Sequence, residues 1–448
     1  MNVETLKSII LVILIGFSLL LTVALWNFQP EYENLEKEEG LIEETTIGGE
    51  EQDVSSLVRP SQFVFHQSGD YYDFEDAEDI ELTYSSMKNW TIRNFRSTES
   101  QDPPTGEEAM VEVIFPAEVP AQAIPDIFTF DDSEMEPPSG QFNRIFITLN
   151  TEGNNAELLF TSDQAGSTSF RASIGSSDAA ELSNMMNDDD LLRENIMFDG
   201  DEEKRIFIPK ERVELPEDQI DSTEIGLLPL TNELFGESPV VREHSSSTSD
   251  QRLTDYSNRL EVLGDGNRLE FTKLNSSSAS GVQTALSSFD LLNNSMDFVN
   301  THEGWTDTFH LTSLNPSTSM AQFHMYFNDL PLLESSDDLH KIEVEYDGEE
   351  LARYMRPLRD FDTSFPPTGS TQELPSGESV ASYLMESRQY NMNLIEDIQI
   401  GYTLEPQDAY EVYKLVPAWF VLENGSWKEI SDVSPAEEGG VSNAMGSN

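Results

Sequence analysis

Asp397-Ile398-Gln399-Ile400-Gly401-Tyr402-Thr403-Leu404-Glu405-Pro406 alternates apolar and polar side chains, the period of a strand with one buried face. An earlier stretch has the same character: Thr308-Phe309-His310-Leu311-Thr312-Ser313-Leu314-Asn315-Pro316. Both end in Leu-x-Pro. Each follows a helical pattern, Val282 to Thr301 in one case and Gly377 to Met392 in the other. Each also precedes an aromatic-rich strand, Ala321 to Phe327 or Tyr410 to Leu422. This echo predicts two related modules, each a helix laid on a small antiparallel sheet; two unrelated helix–hairpin units remain the alternative. The fold class is therefore α+β. Asn424-Gly425-Ser426-Trp427 reads as a hairpin turn followed by an aromatic, and residues 431–448 as a disordered tail.

Upstream, strands are expected at Leu57 to His66, Met110 to Phe115, Arg144 to Leu149 and Ala156 to Phe160. Helical spacing marks Ala77 to Trp90 and Ser177 to Met197, while Lys204 to Pro239, with its prolines and Gly236, reads as a connector. Arg259 to Leu263 and Arg268 to Leu274 flank the turn Gly264-Asp265-Gly266-Asn267, between two Ser-rich breaks. The expected organisation is a stub at 1–8, a membrane span at 9–26, and an acidic stalk at 27–56. An N-terminal domain at 57–239, a middle domain at 240–365 and a C-terminal domain at 366–430 complete it.

Ile9 to Trp26 carries no charge and at 1.5 Å per residue reaches about 27 Å, enough to cross a hydrocarbon core. The run exceeds the apolar core of a secretory signal, and Ala24-Leu25-Trp26 is a poor cleavage site, which favours an uncleaved signal anchor over a cleaved signal peptide. Lys7 and the amino terminus lie before it, whereas residues 31–53 are strongly acidic with Lys37 alone opposing. The positive-inside preference leaves the stub in the cytoplasm and the bulk outside. Gly16, Ser18 and Thr22 supply the small residues that helix–helix contacts in lipid prefer.

Across 448 residues, 25 Lys+Arg face 84 Asp+Glu, a formal net charge of −59 that repels phosphate backbones and argues against nucleic-acid binding. A high-salt or alkaline habitat selects such a surface; a basic partner or cation binding is the other reading. A hydrophobic content of 37% with 25 Phe sustains folded cores, and the absence of cysteine removes disulfides, thiol catalysis and Cys-ligated metals.

Catalytic patterns are missing. There is no HExxH, no nucleophile elbow and no Ser/His/Asp grouping in a suggestive context. His310 and His324 face one another across the predicted hairpin, but two ligands without a third make a weak metal site. Asp131-Asp132, Asp188-Asp189-Asp190 and Glu202-Glu203 do not match a calcium loop and read as solvated surface. No catalytic, cofactor or metal residue is assigned. Arg353, Arg356 and Arg359 stand out on so acidic a chain, either as a docking patch or as partners of Glu349-Glu350.

Several stretches, in order, resemble the YycH (WalH) family. They are Trp26-Asn27-Phe28-Gln29-Pro30, Arg59-Pro60-Ser61-Gln62, His302-Glu303-Gly304-Trp305-Thr306, Leu374-Pro375-Ser376-Gly377 and Leu415-Val416-Pro417-Ala418-Trp419. The resemblance runs from residue 1 to about 430. It implies a membrane-anchored accessory protein of the WalK/WalR (YycG/YycF) two-component system of Gram-positive bacteria. It further implies a three-domain exterior whose later domains are similar to YycI, contacts with YycI and the sensor histidine kinase WalK, and no catalytic residues or cofactor. The small residues of the span also leave room for a homodimer. The acidity departs from the family. An extracellular wall hydrolase and a passive module binding envelope polymers or peptides are the competing readings.

Overall fold

Phe63 and Phe65 project from one face of strand Gln62–Gln67, and in the computed structural model a ten-stranded sheet extends on both sides of it. The structure describes residues 14–16, 18, 47–431 and 433, apart from 100–103, 105–108, 132–136, 150–154, 165, 189, 199–203, 237, 239, 245–250, 275–284, 363–368 and 408–410. In spatial order this first sheet runs Phe207–Pro209, Leu192–Met197, Asp70–Phe74, Gln62–Gln67, Met110–Pro120, Gln141–Leu149, Ala156–Thr161, Ser169–Ile174, Thr91–Thr98 and Thr129–Phe130. Only the last pairing is parallel. Helices Ala77–Met87 and Ser176–Met186 bury Tyr84, Met87, Leu182 and Met186 in its core. There Phe142 meets Phe160 edge-on at 5.2 Å, a geometry that adds to area burial.

Both helix–hairpin units are present, but they share a second, fifteen-stranded sheet instead of each carrying a small sheet of its own. Helix Ser288–Asn300 precedes strands Phe309–Asn315 and Met320–Phe327; helix Gly377–Glu386 precedes Ile395–Pro406 and Val412–Glu423. Each helix is capped by a serine, Ser287 accepting from Asp290 N and Ser376 from Ser379 N. The units join through a parallel pairing of Leu330–Ser335 with Ile395–Pro406. The last hairpin turns at Asn424 and Gly425, both with positive φ, as a two-residue primed turn requires.

Three expectations are corrected. The segment 204–239 is not a connector: it holds strands Phe207–Pro209 and Val213–Glu224 and helix Leu227–Phe235. Val213–Glu224 lies between Val412–Glu423 on one side and the short strands Arg359–Asp362 and Ser370–Leu374 on the other. Its prolines mislead because Pro216 pairs with Thr371 beside a short strand, and Pro229 falls in the first turn of a helix, where its missing N–H is not needed. The helix in 177–197 ends at Met186; beyond the Asp-rich turn, Leu192–Met197 is a strand paired with Asp70–Phe74. Finally, residues 47–56, expected in the stalk, belong to the fold.

Candidate functional site

The sequence His302-Glu303-Gly304-Trp305-Thr306 turns out of helix Ser288–Asn300, and residues 47–50 lie along it. Ile47 N donates to His302 O at 3.1 Å, Gly49 N to Glu303 O at 3.0 Å and Glu50 N to Trp305 O at 3.1 Å. Asn300 completes the clamp. Its Oδ1 accepts from Gln52 N (2.9 Å) and Trp305 Nε1 (2.8 Å), and its Nδ2 donates to Gln52 O (2.9 Å). A Cβ on Gly49 would stand 2.5 Å from the Trp305 carbonyl, so only glycine lets the two backbones approach this closely. Past the clamp, Asp53 caps the short helix Val54–Leu57 by accepting from Ser56 N at 2.8 Å, and Val54 and Leu57 enter the core.

Arg356 supports this turn from beneath. Its side chain is 0% exposed, and it donates to Gly304 O (2.9 Å), Pro357 O (2.9 Å) and Thr306 Oγ1 (3.3 Å). Burial, then the Arg356 charge, lowers the neighbouring His302 to about 3, and His302 Nε2 lies 3.1 Å from Tyr354 Oη. Burial, then Asp360, raises Asp307 to about 7 against the pull of Arg356. The arginine trio is therefore no surface patch. Arg359, at 4% exposure, is buried with its Nε on Asn267 Oδ1, and Arg353 is held by Glu270 and Glu343, each at 2.9 Å. The neighbouring Glu350 pairs instead with Lys273.

A second cluster ties the two sheets together, and the sequence reading missed it. Glu112, 0% exposed, accepts from His66 Nε2 (3.1 Å), Arg144 Nη1 (2.6 Å) and Arg205 Nη2 (2.5 Å). Burial alone would raise its pKa. Bonds from His66 and Arg205 and the charges of Arg144 and Arg205 outweigh burial and hold it at about 2. Arg144 also reaches Asp163 at 3.1 Å and Lys204 O at 2.9 Å, while Lys204 Nζ donates to Asn393 O and Ile395 O of the C-terminal unit. The available signal was a lone acid amid the apolar Met110-Val111-Glu112-Val113-Ile114-Phe115.

His310 and His324 are cross-strand partners, and His324 also faces His340 with ring centroids 5.2 Å apart. All three are buried, and burial lowers His310 and His340 to about 3 and His324 well below the ordinary range. Among the described residues no three His, Asp or Glu side chains are grouped to hold a metal. Asp131, Asp188 and Asp190 are exposed; Asp132, Asp189, Glu202 and Glu203 lie outside the described residues. Gly16 and Ser18 are helical and exposed, Thr22 lies outside, and no helix among the described residues is long and apolar enough to cross a membrane.

A family model described as "YycH protein, N-terminal domain" matches residues 4–190, and one described as "YycH protein, C-terminal domain" matches residues 203–437. A relative from Bacillus subtilis (strain 168), the "Two-component system WalR/WalK regulatory protein YycH", is 23% identical over 452 residues, covering 95% of this chain and 96% of the relative. The crystal structure of YycH from Bacillus subtilis superposes with a TM-score of 0.67 at 20% identity, covering 87% of this chain and 99% of that one.

Proposed function

This chain belongs to the YycH family, and we propose that it is a non-enzymatic, membrane-anchored regulator of a WalK-type sensor histidine kinase, adjusting WalR/WalK signalling in cell-wall homeostasis. In this reading residues 9–26 cross the membrane once, with 1–8 in the cytoplasm and the folded bulk outside. Gly16, Ser18 and Thr22 form a helix contact with the kinase or with a YycI partner, whose fold is related to the later units.

The observation that carries the reading is the clamp. Three main-chain bonds and Asn300 fix residues 47–52 to the turn at 302–305, leaving only residues 27–46 between the proposed span and the folded body. The clamp sets where on the body a pull from the proposed span would be applied, the turn at 302–305. Regulation requires contacts that differ between the kinase's signalling states, and a tethered helix transmits such a difference.

The chain has no cysteine, so Gly16→Cys, Ser18→Cys or Thr22→Cys introduces a single reactive thiol. Crosslinking in native membranes is expected to capture the kinase or YycI. Replacing residues 9–26 with an unrelated apolar helix is expected to change phosphorylation of the response regulator. Unchanged phosphorylation both after the swap and after deletion of the protein refutes the proposal.

A further inference from the structure

The described ladders contain six register slips, and four of them converge on one place. Met110–Pro120 slips against Gln141–Leu149 between Ile114 and Val119, releasing Phe115 to Glu118. Phe309–Asn315 slips at Thr312, Leu330–Ser335 at Leu333 and Ile395–Pro406 at Glu396. These strands come from the first sheet and from both echoing units. Pro116, Thr312, Leu333 and Glu396 meet, with Leu422 and Trp427, where two clefts adjoin. Bulges re-aim side chains and gather beside functional sites.

The inner cleft, about 570 Å³, is lined by Phe115, Ile398 and Ile400 with His310 and Asp397, and also by Arg144, Arg205 and Lys204, whose charges are already held by Glu112, Asp163 and the Asn393 and Ile395 carbonyls. The outer groove, about 1250 Å³, is acidic and open. Glu118, Glu334, Glu396 and Glu429 line it, and none of them has an ion-pair partner among the described residues. Its two lysines are already held, Lys341 by Asp338 and Glu343 and Lys428 by Glu423. Buried polar atoms wait without a hydrogen bond: Glu118 Oε2 and His324 Nδ1 beside the groove, His310 Nε2 beside the inner cleft.

We propose that the joined cleft binds a short extended peptide bearing basic side chains. Its ammonium or guanidinium groups meet Glu118, Glu334, Glu396 and Glu429, and an apolar side chain passes Trp427 into the inner cleft. Charge complementarity selects this occupant: the walls offer carboxylates, and the whole chain carries −59. A neutral sugar chain would also find Trp427 but would leave the four carboxylates unanswered. The volume of the groove exceeds that of a small-metabolite pocket and suits a chain segment. Because the peptide touches all three parts, its binding favours one arrangement of them. The site is separate from the membrane contacts proposed above and is tested without them.

The test uses the full chain in detergent micelles and a fluorescein-labelled hexapeptide of alternating Lys and Leu, read by anisotropy. One-to-one binding is expected, weakened about tenfold or more by Glu396→Gln, Glu334→Gln or Trp427→Ala. Glu386→Gln, a single charge removed from an exposed position elsewhere, leaves it unchanged. Ser426→Lys, exposed beside the turn, places at the groove a positive charge like the peptide's own without touching the core and is expected to weaken binding as strongly. Equal binding by all variants means general attraction to an acidic surface and overturns the proposal. So does equal binding of the Glu/Leu counterpart, or chitohexaose binding in place of the peptide.

Discussion

Replacing Glu112 by Gln tests whether the buried charge cluster holds the first sheet to the C-terminal unit. The amide keeps the shape but no longer carries the negative charge that Arg144 and Arg205 require, and both guanidinium groups stay where water reaches them poorly. Two routes to the magnitude agree. Breaking one side of a buried ion pair costs about 3–5 kcal/mol. Holding a carboxyl at about 2 rather than at its ordinary value of 4.5 corresponds to about 3 kcal/mol at neutral pH. Because the folded value is the lower one, this stability is present above pH 4.5 and is lost as pH falls toward 2. For a unit of this size the melting temperature should fall by about 6–12 °C. Urea unfolding followed through tryptophan fluorescence measures it, and a double-mutant cycle with Arg144→Met should show a coupling of at least about 1 kcal/mol. A Glu112→Gln variant within about 1 kcal/mol of the parent, or strict additivity with Arg144→Met, refutes the reasoning.

Gly49→Val forces the entering segment off the 302–305 turn, so amide exchange at residues 47–52 should rise while the Glu112 region stays protected; unchanged exchange contradicts the steric argument. Arg356→Met should cost about 1–3 kcal/mol by orphaning the Gly304 carbonyl, whereas Arg353→Ala, partly exposed, should cost under about 1 kcal/mol; equal losses in urea melts would undo the distinction. Acid sensitivity should be muted by opposing groups. His302, His310, His324 and His340 are lowered, so their contribution is present above about pH 6.5 and lost below it. Asp307 and Glu118, raised to about 7, and Asp397, raised to about 6, add stability as pH falls through those values. Asp307→Asn should therefore lose stability more steeply with acidification, by about 1.4 kcal/mol per pH unit between pH 6.5 and 4.5; an unchanged pH slope of the urea midpoint tells against it.

Local periodicity made much of the fold legible. The echo around Thr308 to Phe327 and Asp397 to Leu422 rests on alternation and helical spacing, which side-chain burial enforces residue by residue. The strand Val213–Glu224 escaped because Glu, Asp and Pro crowd its sequence, and its place is set by Tyr413 and Leu415 far along the chain. Arg356 shows the same limit. Its rarity suggested a surface role, while its carbonyl and hydroxyl partners come from a turn some fifty residues earlier. The clamp was half visible: His302 to Trp305 stood out among the stretches that carry the family resemblance, but nothing local says that Ile47 to Gln52 lies against it.

That long-range strand sets the order in which the molecule is completed. Lys414 grips Glu217 across 197 residues, and Gln52 meets Asn300 across 248. At roughly 5–20 residues per second, Val213–Glu224 emerges about 10–40 s before its principal neighbour. During that delay it is an unsatisfied ribbon of the kind that recruits the wrong mate. Glu214, Pro216, Glu217, Asp218, Asp221 and Glu224 make it repel copies of itself and break any continuous pairing. The same residues that hid the strand from pattern reading thus act as gatekeepers while the nascent chain waits for its C-terminal third.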